Sequence, residues 1–153
     1  MKRLTIYSLV FLMIDLLIKI IVINFMELYD TIKIIPGFFN ITYVRNTGAA
    51  FSILEDSRIF FIVITFIALI VIYLFLLKDK VLNKYQTFLY SMLIGGIVGN
   101  LVDRIIYGYV IDYLSFNIFG YSFPVFNIAD SFIVISVILL VLNELKVNTC
   151  KKL

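Results

Sequence analysis

The sequence predicts an all-α membrane protein: four transmembrane helices carrying a small sheet and a short interfacial helix on the outer side. Three observations lead there. The chain of 153 residues is 63% hydrophobic, with a mean hydropathy of +1.08, and a water-soluble domain of that size needs a more polar exterior. The apolar residues fall into four segments, each near the ~20 residues that cross the hydrocarbon core. Basic residues collect in alternate connections, as they do when cytoplasmic loops hold the positive charge.

The spans are expected at about 4–26, 59–77, 85–106 and 126–145, within one integral membrane domain covering 1–153. They must be helices, because in lipid a helix satisfies its own backbone. The first has two basic residues before an apolar run, like a secretory signal. It is too long for one, it carries Asp15 and Lys19, and no small-residue cleavage site follows, so a retained span is expected. Lys2 and Arg3, then Lys78, Lys80 and Lys84, then Lys146, Lys151 and Lys152 flank the spans on one side, which places both termini in the cytoplasm.

Two loops therefore face outward, at about 27–58 and 107–125. The first is too long for a bare connection. Its KIIPGFFNITYV stretch is β-branched and aromatic around Pro36-Gly37, and AAFSIL (49–54) continues in the same style, so a small antiparallel sheet on the membrane surface is expected. The second holds Gly108, Asp112, Gly120 and Pro124, and a short helix near the interface is expected there.

Composition excludes much chemistry. There is no histidine, which removes Ser-His-Asp and Cys-His catalysis and any His-ligated metal site. The one cysteine, Cys150, cannot form an internal disulfide. It is read as an unmodified thiol in a reducing cytosol, palmitoylation being the alternative. A net charge of +3, spread along the chain, gives no reason to expect nucleic acid.

The polar residues beside apolar sequence are the functional candidates. Asp15 and Lys19 are four apart and share a helix face, as an ion pair fixing helix rotation would. Asn100 and Asp103 share a face at spacing three, and Asn100 and Arg104 at spacing four, after Gly95, Gly96 and Gly99, which permit close helix approach. A packing seam with a hydrogen-bond network is the first reading of that group, with Arg104 paired to Asp103.

Asp112 and Asp130 differ, since neither has a basic residue within four positions. Both belong at the outer boundary, and the eighteen residues between them suffice to loop back. Two adjoining carboxylates share one proton and can activate a water, as in aspartic proteases. Each is equally readable as a helix cap, Asp130 lying early in its span. Asn46 and Asn127 are candidate hydrogen-bond partners. A Ser-Lys dyad on Lys19 lacks an obvious serine, Ser91 and Ser131 being poorly placed. A small channel or transporter subunit, with the buried charges as an ion path, is the alternative from another class. The lack of an internal repeat, and polar residues clustered toward one membrane face, count against it.

In order along the chain stand DLLIK (15–19), RNTGAAF (45–51), GGIVGNLVDR (95–104), VIDY (110–113) and FNIADS (126–131). With these five blocks the chain resembles the lipoprotein signal peptidases (signal peptidase II), aspartic proteases of bacterial inner membranes. The resemblance implies four transmembrane helices, an extracytoplasmic β-cradle, and Asp112 with Asp130 as the catalytic pair. It maps the other functional positions to Asp15, Lys19, Asn46, Gly48, Asn100, Asp103, Arg104, Asn127 and Ala129. The implied substrate is a prolipoprotein carrying diacylglycerol on its lipobox cysteine, cut just before that cysteine. Membrane lipid is the other expected partner, the protein is expected to be a monomer, and no metal or organic cofactor is called for. One departure is visible. Leu16, Leu17 and Ile18 stand between Asp15 and Lys19 where the family has polar residues.

Overall fold

The computed structural model describes residues 1–48, 57–78 and 80–150, the side chains of 147–150 excepted. The expected strand at 49–54, the Cys150 thiol, and Lys151 with Lys152 lie outside the described residues. Helices α1 (Lys2–Phe25), α2 (Arg58–Val71, continued as π-helix over Ile72–Leu77), α3 (Lys84–Ile106) and α4 (Ile128–Cys150) fall on the four expected spans. All four are long and apolar enough to cross a membrane.

The bundle is built around α3, the least apolar of the four and the most enclosed. A helix ringed by other helices can carry glycine and polar side chains that lipid would reject. Asn83 starts it with a reciprocal cap: Gln86 N donates to Asn83 Oδ1 at 2.8 Å, and Asn83 N to Gln86 Oε1 at 3.2 Å, an arrangement that satisfies two helix-end amides. Arg58 Nη2 donates to Ile105 O at 2.6 Å near its other end. By contrast α2 has no buried residue and presents apolar side chains on all sides, as a lipid-facing helix does.

Glycines set the helix spacing. A Cβ on Gly95 would lie 2.6 Å from Phe11 Cβ of α1, and one on Gly96 would lie 2.6 Å from Ala129 O of α4. Real Cβ atoms essentially never sit that close to another heavy atom, so α1 and α4 flank α3 at a distance only glycine permits.

The sheet has four antiparallel strands in the order β1 (Thr31–Ile35), β2 (Phe39–Asn46), β3 (Val110–Ile118), β4 (Tyr121–Ser122). It sits at the end of the bundle where α1 and α3 finish and α4 begins. Gly37, at φ 76°, turns β1 into β2, a conformation glycine adopts freely. Val22 of α1 and Met26, the residue that follows the helix, pack with Tyr43, Ile111 and Tyr113 of the sheet, so sheet and bundle share one core.

Two expectations are corrected. The fold is not all-α, because the sheet is integral to it. The short helix expected within 107–125 is instead β3 and β4. Gly108, at φ 86°, reverses the chain after α3. VIDYLSFNI then has the β-branched and aromatic content of a strand, and β2 supplies a partner from Phe39↔Phe116 to Asn46↔Val110. The chain before α4 is strapped to the other side of β3: Leu114 N donates to Phe126 O at 2.7 Å, and Phe126 N to Leu114 O at 3.1 Å. That strap fixes where α4 starts.

Gly96→Ala is expected to lower the stability of the detergent-solubilised protein by about 1–3 kcal/mol through overpacking, read as a fall in Tm. Ile64→Ala, on the exposed surface of α2, is expected to shift Tm far less.

Candidate active site

The α3 face bearing Asn100 and Asp103 meets the α1 face bearing Lys19. The Lys19 ammonium lies 2.8 Å from Asp15 Oδ2, 2.8 Å from Asp103 Oδ2 and 2.9 Å from Asn100 Oδ1. A lysine has three N–H donors, and each has an acceptor here. Asp15, Lys19 and Asp103 are all buried. The predicted Asp15–Lys19 pair is therefore present, but Asp103 joins it and is not the partner of Arg104. The physical reason is helical geometry: adjacent residues point about 100° apart and do not face each other. Arg104 turns outward, its Nη2 donating to Gly48 O at 3.3 Å and its guanidinium lying 4.9 Å from the Phe61 ring centroid.

The charge on Lys19 orders what lies beyond it. Asn100 Oδ1 accepts from Lys19 and, at 3.1 Å, from Asn127 Nδ2. Its amide nitrogen is thereby aimed the other way, donating to Asp130 Oδ1 at 2.7 Å. Asn127 precedes α4 and caps it: Asp130 N donates to Asn127 Oδ1 at 2.9 Å, and Asn127 N to Asp130 Oδ2 at 3.1 Å. The second Asn127 amide hydrogen goes to Asp112 Oδ1 at 2.7 Å. Asn46 Nδ2 completes the set, donating to Asp112 Oδ2 at 2.9 Å, while its own Oδ1 accepts from Gly48 N at 3.0 Å.

Asp112 and Asp130 thus flank a single residue, Asn127, whose side chain donates to the first and whose backbone N donates to the second, and they line one cavity of about 530 Å³. Asn46, Gly48, Asn100 and Arg104 also line it, and its apolar wall includes Phe123, Val125, Val134 and Ile135. Asp112 exposes only 2% of its surface, whereas Asp130 is half-buried. Burial, and then the neighbouring charge of Asp130, push the Asp112 carboxyl up to about 7, against the hydrogen bonds from Asn46 and Asn127. Two carboxyls held this way can keep one proton between them and present it to a bound substrate.

The cap reading of Asp130 is correct and incomplete. One carboxylate oxygen caps α4, and the other accepts from Asn100. Ala129 is fully buried, its carbonyl against Gly96, a packing position at the edge of the site. The Ser-Lys alternative fails: Ser91 Oγ donates to Leu4 O and Thr87 O, Ser131 Oγ donates to Asn127 O, and neither meets Lys19. The apolar wall was not singled out in the sequence. One apolar residue among many carries no mark, and only the turn of α4 that places Asp130 could have pointed to Val134.

The chain as a whole has known relatives. The family model described as Signal peptidase (SPase) II matches residues 7–146. The chain belongs to the signal peptidase II family. A lipoprotein signal peptidase of Staphylococcus aureus is 44% identical over 138 residues, covering 90% of this chain and 85% of that one. A bacterial membrane enzyme solved by the in meso method at 2.3 Å superimposes with a TM-score of 0.88 at 39% identity, covering 99% of this chain and 92% of that one. A second, solved at 1.9 Å, gives 0.84 at 40% identity, covering 95% and 94%. As a signal peptidase II this protein is a multi-pass membrane protein and an aspartic protease that removes signal peptides from prolipoproteins. The channel reading is set aside.

Lys19→Met leaves two buried carboxylates without their cation and is expected to cost about 3–5 kcal/mol, seen as a large fall in Tm. The neutral triple variant Asp15→Asn, Lys19→Met, Asp103→Asn is expected to recover part of that loss. A triple variant no more stable than Lys19→Met would show that buried charge is not the cause.

Proposed function

We propose that Asp112 and Asp130 are the catalytic pair of this signal peptidase. The observation that carries the reading is the shared cavity, where both carboxyls are held by Asn46, Asn100 and Asn127. We assign the pair's one retained proton to the deeper Asp112, which leaves Asp130 as the base. Asp130 takes a proton from a water whose oxygen bonds to the scissile carbonyl carbon, and Asp112 passes its proton to the carbonyl oxygen. As the tetrahedral intermediate collapses, Asp112 recovers a proton from one hydroxyl and Asp130 gives its proton to the leaving nitrogen. The C–N bond breaks and the pair returns to its starting state. Two carboxyls and a water suffice for this chemistry.

The substrate we propose is a prolipoprotein already carrying diacylglycerol on its cysteine, cut just before that residue. Support comes from the apolar wall of the cavity. Val134 and Ile135 line it and are also exposed on the outer surface of α4, so acyl chains can reach the cavity sideways from the bilayer. The sheet end is assigned to the extracytoplasmic face, with both termini cytoplasmic. Lys2, Arg3, Lys80, Lys84 and Lys146 lie toward the opposite end, in keeping with the charge rule. The chain acts as one membrane domain and as a monomer.

Asp112→Asn and Asp130→Asn, each checked for native Tm, are expected to cut cleavage of a diacylglyceryl-modified prolipoprotein by about 10²–10⁴-fold or more. Near-native activity in either folded variant would remove that residue from the pair.

The pH profile tests which carboxyl holds the proton. Asp112 is protonated below about 7, so kcat/KM is expected to fall as pH rises through that value. Asn46 donates to the ionised form and holds the pKa down. Asn46→Leu is therefore expected to move the alkaline limb to higher pH, whatever it does to the maximal rate. A limb that stays in place would assign the proton elsewhere.

A further inference from the structure

A second cavity, larger than the one between Asp112 and Asp130, lies elsewhere in the fold. It has a volume of about 1150 Å³ and opens at the opposite end of the bundle, between the start of α1, the chain leading into α3, and α3 itself. Lys2, Arg3, Lys80 and Lys84 line it, and among the described residues no acidic one does. None of these four cations forms an ion pair among the described residues. Deeper in, the lining changes to Tyr7, Phe11, Leu82 and Phe88. Lys2 to Phe11 spans about 14 Å of helix, so the cavity runs from a charged rim well into the apolar zone.

The charges stand where local electrostatics disfavours them. Lys2 and Arg3 occupy the first turn of α1 and Lys84 opens α3, and neither first turn holds an acid. A helix N-terminus carries partial positive charge and favours anions, so two positive helix ends and four side-chain cations face one volume. Orientation in the membrane requires cations on this side but not their convergence. Lys78 and Lys146 serve orientation equally and do not line the cavity.

We propose that this cavity binds an anionic phospholipid, its phosphate among Lys2, Arg3, Lys80 and Lys84 and its acyl chains along Tyr7, Phe11 and Phe88. A bare phosphate would leave the aromatic wall without a partner, and a zwitterionic lipid would leave the excess cations unneutralised. A basic recess between helices at the cytoplasmic surface is a recognised form of lipid headgroup site. The inference is independent of which carboxyls perform catalysis.

Native mass spectrometry of the full chain released from detergent tests it, with phosphatidylglycerol and phosphatidylcholine of matched chains offered at equal mole fraction. Phosphatidylglycerol is expected to be retained in clear preference. Arg3→Gln and Lys84→Gln are each expected to reduce its retention about fivefold, and Lys33→Gln, on the sheet, is expected to leave it unchanged. Millimolar inorganic phosphate is expected not to displace the lipid. Prolipoprotein cleavage reports the folding of each variant, and Lys80→Gln replaces any that fails. Equal retention of the two lipids would overturn the proposal. So would a preference that Arg3→Gln and Lys84→Gln do not weaken, or displacement by phosphate alone.

Discussion

Everything at the reacting end depends on one buried ammonium. Lys19 neutralises Asp15 on its own helix and Asp103 on α3, and its remaining donor fixes the amide of Asn100. Asp103 Oδ2 also accepts from Ile111 N of β3 at 3.1 Å. Through these contacts a single charge ties α1, α3, the sheet and, by way of Asn100 and Asp130, α4. A buried ion cluster contributes little net stability, because desolvation offsets much of the attraction. Its value lies in uniqueness. Any rotation of α1 about its axis would strand a charge in a low-dielectric interior, so the helix faces are fixed by penalty against the alternatives. Gly99 belongs to the same constraint: a Cβ there would collide with the Asp15 carboxylate.

The two proposed catalytic carboxyls are positioned by different means, and that asymmetry gives them different chemistry. Asp130 is held by the start of a helix, capping α4 through one oxygen. Asp112 is held by a strand whose first four residues, Val110 to Tyr113, are all buried. The strap between Leu114 and Phe126 sets the distance from strand to helix start, and Asn127 then reaches both carboxyls. One residue so placed fixes both: its amide donates to Asp112 while its carbonyl oxygen is occupied by the α4 cap.

How much of this the sequence disclosed follows from which signals are local. The spans were readable to within a few residues because hydropathy sums over a whole helix. The pairing of Asp15 with Lys19 followed from spacing four, and the shared role of Asn100 and Asp103 from spacing three. Arg104 was misassigned to Asp103 because proximity along the chain was taken for proximity in space. Strand β3 was misread because its partner, β2, lies some seventy residues earlier, and a strand of nine residues has no periodicity that outlasts its neighbours. The cavity wall was invisible for a related reason: Phe123, Val134 and Ile135 are apolar residues in apolar surroundings, and only the fold distinguishes the ones facing the site.

Polar groups along α1, α3 and the sheet pass from dry to wet, and that gradient explains how a hydrolase can work against lipid. Asp15, Lys19 and Asp103 are 0–1% exposed and mutually neutralised. Asp112 comes next, nearly as dry, and lacks a cation in direct contact, so burial pushes its carboxyl up to about 7. Asp130 is half-buried at the cavity, the wetter of the two. Hydrolysis needs both conditions within one cavity: a dry carboxyl that still holds its proton at neutral pH, and a wetter one able to accept a proton from water. At the junction of helix ends and sheet the proposed pair brings the two conditions into one cavity.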